Sequence, residues 1–561
     1  MAALYKDYCK ETVDGNGRLL DIEVFWPDNF NFGYDIVDRY AALEPDKRAL
    51  VWCNVDGQEA TFTFSDISRL SNKAANVLLK NGIKKGDKVI LALKRHYEYW
   101  YISVALCKIG AIMIPVTHML TVSDYKYRLE ASKAKAIITT SLSDVAETAL
   151  EAVNALGMDT TVYTVQKAKP GCRFLSEEID AASDQLERLP TRWDEIMSLY
   201  FTSGTTGYPK GVMHNQAYPL CHIVTAKYWQ CAEDNGLHYT ISETGWAKAS
   251  WGKIYGQWLV GSAVMVHDFD IFDPRQVPRV INKYGVTSFC APSTVYRYMV
   301  KKAIKAMPTL KHAATAGEYL DPAVFTTFKE QTGLTIKEAY GQTETGLLTG
   351  NFCGMPSKDS SLGVATPLYD VQIVDKANKP VGPGVIGEIV VKPKEGRRLV
   401  GILSGYLDND DLYQSVWEGG IYHTGDSAWM DEDGHFWFHG RFDDIIKSGG
   451  FRIGPYEIEN VLARHPAVLE CSAVGIPDEK RGQAVKVFVT LADGYKPTHE
   501  LEKEIKEFTN SQLATYKWIR VLEFVDEMPK TISGKTRKIE QREAEEKIYE
   551  DAHHRSGSQK N

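Results

Sequence analysis

The sequence lacks both a membrane-spanning hydrophobic run and a segment typical of a secretory leader. Its longest apolar stretch, residues 101–116, is interrupted by Lys108 and falls short of the roughly 20 residues that a transmembrane helix needs. The first fifteen residues, MAALYKDYCKETVDG, contain no apolar core. We therefore expect a protein without an integral membrane segment, located in the cytoplasm.

Paired cysteines and an excess of positive charge are also missing. The nine cysteines are scattered and include no C-x-x-C pair, which suits neither a disulfide framework nor a zinc site and favours a reducing compartment. The formal net charge of −8 argues against a nucleic-acid-binding protein. With 561 residues, 44% of them apolar and 25% charged, the chain has the composition of a globular protein with two or more domains.

Helical and strand patterns alternate through the first part of the chain. Residues 64–82 have helical spacing, with Ser65 and Asp66 as candidate caps. Short apolar strands are predicted at 88–93, 111–116, 136–140, 261–267, 286–291 and 311–316. Strands that alternate with helices predict βαβ units and parallel sheets.

From about residue 363, short strands replace the alternating helical and strand patterns. Short strands at 371–374, 387–391 and 435–439 predict a small β-rich subdomain, and strands at 470–476 and 484–490 with an amphipathic helix at 501–513 predict a final α+β region. The expected fold is α/β with α+β: a large N-terminal domain (1–442) of two αβ-layered subdomains plus the β-subdomain, and a mobile C-terminal α+β domain (443–561).

The motif at 200–211, YFTSGTTGYPKG, has the composition of a phosphate-binding loop. Its glycines allow close approach of the backbone, and hydroxyls, successive N–H groups and Lys210 supply donors for an anion. It is not a Walker A loop, because measured from Gly204 the second glycine is replaced by Pro209 and the Ser/Thr by Gly211. A flexible surface turn is the alternative for a bare S-G-T-T-G, and the full string disfavours it.

Together with this motif, five others resemble the adenylate-forming superfamily of acyl-CoA synthetases, luciferases and peptide-synthetase adenylation domains. They follow in the family's order as AGEYL (316–320), YGQTET (340–345), YHTGD (422–426), GRFDDIIKSGGFRIGPYEIE (440–459) and PKTISGKTRK (529–538). The resemblance covers nearly the whole chain. GWAKASWGKIYGQW (245–258) and GFRIGPYEIE resemble most the medium-chain acyl-CoA synthetase branch.

The resemblance implies a site for ATP. Tyr340 offers a face for the purine and the backbone of Gly317 and Glu318 covers the other face, while Asp426 and Arg441 bind the ribose. A core tyrosine and a plain T-G-D turn are the structural alternatives. The full predicted nucleotide set is Thr202, Ser203, Gly204, Thr205, Thr206, Gly207, Lys210, Gly317, Glu318, Tyr340, Gly341, Gln342, Asp426 and Arg441.

Three residues are predicted to be catalytic: Lys535, Thr343 and Glu344. A substrate carboxylate is already ionised at neutral pH and needs no base, so a cation at Lys535 that bridges it to the α-phosphate lowers the barrier. Glu344 suits Mg²⁺, which takes one or two carboxylates with substrate phosphates. Without the other motifs in the family's order, a lysine in a polar loop would be interpreted as a solvated surface residue. Glu344 would likewise be interpreted as a carboxylate at the start of a helix.

The acyl and CoA sites are predicted from two further segments. Trp246, Lys248, Trp251 and Gly341 line the acyl pocket, with Trp251 as its floor, and core packing of both tryptophans is the alternative. By resemblance, the small domain rotates about Asp443. The resulting CoA residues are Gly449, Gly450, Phe451, Arg452 and Arg481.

The predicted reaction activates a short-to-medium-chain, branched or aromatic acid to acyl-AMP with release of pyrophosphate, then transfers the acyl group to CoA. ATP, Mg²⁺ and coenzyme A are required, without a prosthetic group. The alternative is an adenylation enzyme that loads a carrier protein, although residues 246–255 contain no carboxylate to hold an amino group. A homodimer and acetylation of Lys535 are further expectations.

Overall fold

The structure is a computed structural model that describes residues 3–202, 209–302, 304, 306–318, 320–441, 444–449, 451–530 and 536–557. It comprises two compact units, Met1–Val371 with Val391–Tyr422, and Gln372–Val390 with His423–Asn561. The second unit thus takes in part of the predicted β-subdomain. The domain boundary at residue 442 remains a prediction from the sequence.

The first unit contains an eight-stranded sheet that is parallel except at one edge. Six neighbouring strands are parallel. At the other edge, strand Lys210–Asn215 runs antiparallel to both of its neighbours, Ile196–Thr202 and the edge strand Gly405–Tyr406. In spatial order the strands are Gly405–Tyr406, Lys210–Asn215, Ile196–Thr202, Ile112–Pro115, Lys88–Ala92, Ala136–Thr140, Thr161–Val165 and Arg173–Phe174. The predicted strands at 88–93, 111–116 and 136–140 all lie in this sheet.

A second sheet of nine strands also belongs to the first unit. Its six central strands are parallel, and antiparallel strands close both edges. In spatial order they are Val364–Ala365, Leu347–Gly350, Ile336–Gly341, His312–Ala316, Ser288–Cys290, Leu237–Thr240, Ala263–Asp268, Arg48–Asn54 and Glu59–Thr63. Buried residues such as Tyr239, Phe289 and Phe328 pack between this sheet and its helices. A two-stranded hairpin, Cys9–Val13 with Leu19–Val24, also belongs to this unit, and the short strand Trp417–Glu418 pairs with the start of strand Ile421–Met430.

Helices connect the parallel strands, as βαβ units require. In the first unit the α-helices are Arg39–Leu43, Phe64–Lys80, Glu98–Ile109, Val122–Ser132, Val145–Leu156, Leu175–Asp180, Lys248–Gly252, Tyr255–Leu259, Gln276–Tyr284, Ser293–Lys301, Pro322–Thr332 and Asp410–Ser415. Shorter 3₁₀ or π segments are Leu4–Asp7, Gly33–Asp38, Tyr218–Cys221 and Val224–Trp229.

The N-terminus of helix Phe64–Lys80 corrects the predicted caps. Thr63, not Ser65, is the N-cap: its hydroxyl accepts from the Asp66 N–H at 3.2 Å, and the Asp66 carboxylate accepts from the Thr63 N–H at 3.1 Å. This reciprocal pair is a capping box. Asp66 therefore completes the cap from three residues inside the helix.

In the part that the structure describes, the second unit contains two sheets, antiparallel or mixed, and three α-helices. One sheet is formed mainly by Asp370–Val374, Gly387–Lys392, Ile421–Met430 and Phe436–Arg441. The other contains Phe451–Ile453, Ile446–Ser448, Gly482–Leu491, Val468–Asp478 and Val521–Phe524. Helices Pro455–Leu462, His499–Asn510 and Lys538–Gly557 and the 3₁₀ turn Thr515–Lys517 accompany them. The predicted fold class, αβ-layered with an α+β C-terminal part, is thereby confirmed.

Two cysteines that the spacing left unpaired are joined. Cys231 and Cys353 form a disulfide across 122 residues of sequence. The expectation of unpaired cysteines is therefore corrected for this one pair, whereas the other seven cysteines are free thiols. Sequence spacing could not reveal this pair, because only the fold brings the two residues together. In the described ranges, no helix has the length and apolar character needed to span a membrane.

Candidate active site

The glycine- and threonine-rich motif connects two antiparallel strands of the first sheet. Thr202, at the end of one strand, pairs with Lys210, at the start of the next. The Pro209 carbonyl accepts a hydrogen bond from the Tyr127 hydroxyl at 2.8 Å. The structure thus brings the two ends of the predicted phosphate loop together. Ser203, Gly204, Thr205, Thr206 and Gly207 lie outside the described residues.

One face of the strand after this loop carries three side chains of interest. Lys210, Val212 and His214 alternate along the strand and share that face. Tyr406 pairs with Val212 on the neighbouring strand, so its side chain lies on the same face. The Lys210 ammonium is 6.0 Å from the centre of the Tyr406 ring.

The YGQTET segment leaves the second sheet and turns immediately. Tyr340 and Gly341 end the strand Ile336–Gly341, and the Gln342 N–H then donates to the Thr345 hydroxyl oxygen at 3.0 Å. The Tyr422 hydroxyl donates to the Gln342 side-chain oxygen at 3.0 Å. The first residue of the predicted YHTGD motif therefore contacts YGQTET directly.

Hydrogen bonds from other parts of the first unit fix the predicted catalytic pair. The Thr343 carbonyl accepts from Nε2 of His214 at 2.7 Å. The Glu344 carbonyl accepts from the Leu403 N–H at 2.7 Å, and its Oε1 accepts from the Tyr406 hydroxyl at 3.2 Å. Burial lowers the pKa of His214 to about 4, so the ring is neutral and its Nε2 carries the donated proton.

Trp251 packs directly on the end of the YGQTET strand. A Cβ placed on Gly341 would come 2.5 Å from Cη2 of Trp251, so only glycine fits there. Trp251 is buried, with Trp229 in an edge-to-face contact at 6.3 Å between ring centroids. Two residues predicted for the acyl pocket are thus in contact with each other.

The remaining acyl-pocket residues lie on the same segment. Lys248 begins the helix Lys248–Gly252, and its ammonium donates to the Ala316 carbonyl at 2.8 Å. Ala316 directly precedes Gly317, whose φ of +89° suits glycine. The Lys248 side chain therefore links the acyl segment to the predicted purine-binding backbone. Trp246 is half-buried.

The side chain of Glu318 points to a structural partner. Its Oε2 accepts from the Thr294 hydroxyl at 3.0 Å, at the start of helix Ser293–Lys301. The Glu318 side chain is thus bonded within the fold, and the purine-binding role of the Gly317–Glu318 backbone remains a prediction from the sequence.

In the second unit, the two predicted ribose ligands are cross-strand neighbours. Asp426 pairs with Arg441 between strands Ile421–Met430 and Phe436–Arg441. Gly425 has a φ of +71°, and its N–H donates to Oε1 of Glu388 at 3.0 Å, which fixes the turn before Asp426. The Asp426 side chain is buried whereas Arg441 is exposed.

Three of the predicted CoA residues, Gly449, Phe451 and Arg481, lie at or beside the edge strand Phe451–Ile453 of the second unit's other sheet. The Gly449 N–H donates to the Arg481 carbonyl at 2.8 Å, and Gly449 has a φ of +57°. Phe451 is 51% exposed and stacks on Tyr516 with 4.4 Å between ring centroids. An exposed aromatic surface thus lies beside the glycine turn.

Several predicted residues fall beyond what the structure describes. Lys535, Asp443 and Gly450 are outside the described residues, as is the side chain of Arg452. Their roles remain predictions from the sequence motifs.

Three residues near the predicted site were missed by sequence reasoning. His214 lies four residues after Lys210, whereas Tyr406 lies almost 200 residues further along the chain. Only the register of the strands shows that both side chains lie on the same face as Lys210. Glu338 is buried on the same side of its strand as Tyr340, and burial raises its pKa to about 8. The sequence signal for Glu338 is a carboxylate two residues before Tyr340, within the strand Ile336–Gly341.

The described residues could bind a metal ion only together with ligands from a substrate. Among the residues described, no group of three or more His, Cys, Asp or Glu side chains is arranged to hold an ion. A single carboxylate combined with substrate phosphates is a ligand set that suits Mg²⁺. Glu344, half-buried and oriented by Tyr406, fits that description.

Known proteins resemble this chain over most of its length. The AMP-binding enzyme family matches residues 37–407, and the AMP-binding enzyme C-terminal domain matches residues 457–535. The mitochondrial acyl-coenzyme A synthetase ACSM3 of Homo sapiens is 39% identical over 539 residues, which cover 94% of this chain and 91% of that protein.

Two solved structures support the same assignment. An acyl-CoA synthetase from Brucella canis is 30% identical with a TM-score of 0.71, covering 92% of this chain and 95% of the other. The anthranilate CoA ligase AuaEII in complex with anthranoyl-AMP is 26% identical with a TM-score of 0.83, covering 92% and 98%. The chain therefore belongs to the AMP-binding enzymes of the adenylate-forming superfamily, in the medium-chain acyl-CoA synthetase branch.

Proposed function

We propose that this protein is an AMP-forming acid–thiol ligase that converts a carboxylic acid, ATP and CoA into acyl-CoA, AMP and pyrophosphate. Membership of the AMP-binding enzymes and 39% identity to an acyl-coenzyme A synthetase support this function. The observation that carries it is the contact between Trp251 and Gly341, which joins the predicted acyl segment to the adenylate motif.

The first half-reaction joins the acid to the nucleotide. A carboxylate oxygen attacks the α-phosphorus of ATP, a P–O bond forms, and the bond to the β-phosphate oxygen breaks so that pyrophosphate leaves. Lys210 and Lys535 supply positive charge where the two anions meet, and Thr343 supplies a donor. Mg²⁺ held at Glu344 would neutralise phosphate charge when bound.

The second half-reaction transfers the acyl group. The CoA sulfur attacks the acyl carbon, the bond to the phosphate oxygen breaks, AMP leaves and the thiol proton is released. Gly449, Gly450, Phe451, Arg452 and Arg481 are proposed to bind CoA after rotation at Asp443. Support comes from the exposed Phe451 beside the Gly449 turn.

The nucleotide itself is proposed to bind the residues that the sequence motifs predict. Tyr340 with the Gly317–Glu318 backbone holds the purine, and Asp426 with Arg441 holds the ribose. The burial of Asp426 supports its role, because a buried carboxylate that binds hydroxyl groups is well shielded from competing water.

The acid is proposed to be short-to-medium in length, branched or aromatic. The rigid indole of Trp251 is buried between Trp229 and Gly341 and would end the pocket early. A long straight chain would then clash with it.

Location, assembly and modification remain proposals as well. We propose a cytoplasmic homodimer that is regulated by acetylation of Lys535, which would remove the catalytic cation. The similar human ACSM3 is named as a mitochondrial protein. Cell fractionation is therefore the direct test of location.

Pyrophosphate release over a panel of acids tests the function. Acids from acetate to laurate, with branched and aromatic members, are assayed with ATP, with and without CoA. We expect turnover with CoA that peaks at short-to-medium acids and yields AMP and acyl-CoA. Adenylation that gains nothing from CoA would overturn the proposal in favour of a carrier-loading enzyme.

A further inference from the structure

We propose that His214 is a positioning residue for adenylation, which holds the Thr343–Glu344 pair in place through the Thr343 carbonyl. This inference rests on the function proposed above. It concerns a side chain that need not touch any substrate, and it assigns a role to a strand that otherwise supplies only Lys210.

The contact of His214 with the motif is direct and specific. Its Nε2 lies 2.7 Å from the Thr343 carbonyl oxygen, and its side chain is fully buried. Its other nitrogen, Nδ1, has no hydrogen-bond partner in the described part of the chain. The bond to Thr343 is therefore the ring's sole polar contact among the described residues.

His238 shows how a purely structural histidine of this unit is accommodated. It is equally buried, yet both of its nitrogens are bonded, Nδ1 to the Ser288 hydroxyl at 2.7 Å and Nε2 to the Thr240 hydroxyl at 2.8 Å. An unpartnered buried nitrogen costs stability. His214 thus keeps an unpartnered buried Nδ1, which is unfavourable for stability, while its Nε2 donates to the Thr343 carbonyl.

Packing prevents the His214 ring from turning away from Thr343. Tyr218 stacks on it with 3.9 Å between ring centroids and an angle of 24°, and Tyr200 contacts it edge-on at 6.2 Å. Tyr200 is fixed in turn by a hydrogen bond between its hydroxyl and Ser250. The Nε2 donor is therefore held in one direction.

The position of His214 in its strand couples two parts of the site. The strand Lys210–Asn215 begins at Lys210, where the phosphate loop ends, and His214 contacts Thr343 from the same face. Lys210 and the Thr343–Glu344 pair are therefore connected through one strand, Lys210–Asn215. A displacement of about 1 Å in such a constellation can cost a hundredfold in rate.

Three variants test the proposal in two separate assays. Adenylation is followed as pyrophosphate release without CoA, and thioester formation is followed from synthetic acyl-AMP and CoA. His214→Ala removes the donor, His214→Gln restores an N–H at a similar reach, and His238→Ala is the matched loss of a buried histidine. Thermal unfolding of each variant reports the structural cost.

We expect His214→Ala to lower the adenylation rate constant by about a hundredfold with a much smaller change in thioester formation and in KM for ATP. His214→Gln should recover most of that loss, and His238→Ala should reduce stability while keeping the ratio of the two half-reactions. Equal loss of both half-reactions in His214→Ala, or no rescue by His214→Gln, would overturn the proposal. Wild-type enzyme that forms no acyl-AMP would instead refute the proposed function.

Discussion

The hydroxyl of Tyr406 donates a hydrogen bond to the Glu344 carboxylate, with 3.2 Å between the two oxygens. The backbone of Glu344 is fixed independently by the Leu403 N–H. Both partners come from the segment around residues 401–406, far from YGQTET in sequence. The orientation of the proposed metal ligand is thus set by a part of the chain with no recognisable motif.

Tyr406→Phe should weaken the use of Mg²⁺ more than it weakens the fold. A hydrogen bond to a charged group contributes about 1.5–3 kcal/mol, so the Mg²⁺ concentration for half-maximal adenylation should rise by about tenfold or more. The measurement is a Mg²⁺ titration of pyrophosphate release. Tyr413→Phe, on helix Asp410–Ser415, is the control. An unchanged Mg²⁺ requirement would argue against Glu344 as the ligand.

Trp251→Gly should extend the range of accepted acids. Removing the indole opens the space against Gly341, so the chain length of maximal kcat/KM should increase by several carbons. The acid panel is repeated with this variant and with Trp246→Gly. If only the Trp246 variant accepts longer acids, Trp251 is not the floor of the pocket.

Asp426→Asn should raise KM for ATP about ten- to hundredfold, because an amide is a weaker acceptor for ribose hydroxyls than a carboxylate. The thioester assay from acyl-AMP should show a parallel loss of affinity, since AMP carries the same ribose. Asp411→Asn removes an exposed carboxylate of the first unit and serves as the comparison. A normal KM in the Asp426 variant would remove it from the nucleotide site.

Lys535→Ala should abolish adenylation and spare thioester formation. The bridging cation acts only while the carboxylate attacks the α-phosphate. Lys530→Ala is a matched control in the same motif, because the Lys530 ammonium is paired with Glu470 at 2.8 Å. Acetylated Lys535 should behave like the alanine variant, and loss of both half-reactions would contradict the assignment.

Buried histidines should make the fold sensitive to acid. Burial lowers the pKa of His222 and His238 to about 3, from the ordinary value of 6.5. Between these values the unfolded chain binds a proton at each histidine and the folded chain does not, so stability falls as the pH decreases. His238→Gln should reduce the loss in unfolding free energy between pH 7 and 5.5 by about 1 kcal/mol. An unchanged pH dependence would show that His238 does not contribute.

The elements that sequence periodicity predicted were found close to their expected places. Strand 136–140 matches Ala136–Thr140, and the helix at 64–82 matches Phe64–Lys80. Apolar patterning suffices there because each element buries a continuous surface. The predicted cap at Ser65 was wrong, because Thr63 is the residue that forms the reciprocal hydrogen bonds with Asp66.

Contacts between distant segments could not be predicted in the same way. The motifs supplied Thr343 and Glu344, but their supports, His214 and Tyr406, are defined by strand register and by tertiary packing. The Cys231–Cys353 disulfide is hidden for the same reason. A single sequence carries no signal for such pairs beyond the residue types themselves.

The most direct test of the two-step account is a single-turnover experiment with a short-to-medium acid, in which acyl-AMP is quantified before and after CoA is added. We predict that the enzyme accumulates acyl-AMP and pyrophosphate without CoA, and that added CoA converts the adenylate stoichiometrically into acyl-CoA and AMP. Adenylate that persists in the presence of CoA, or acyl-CoA that forms without an adenylate, would contradict the account.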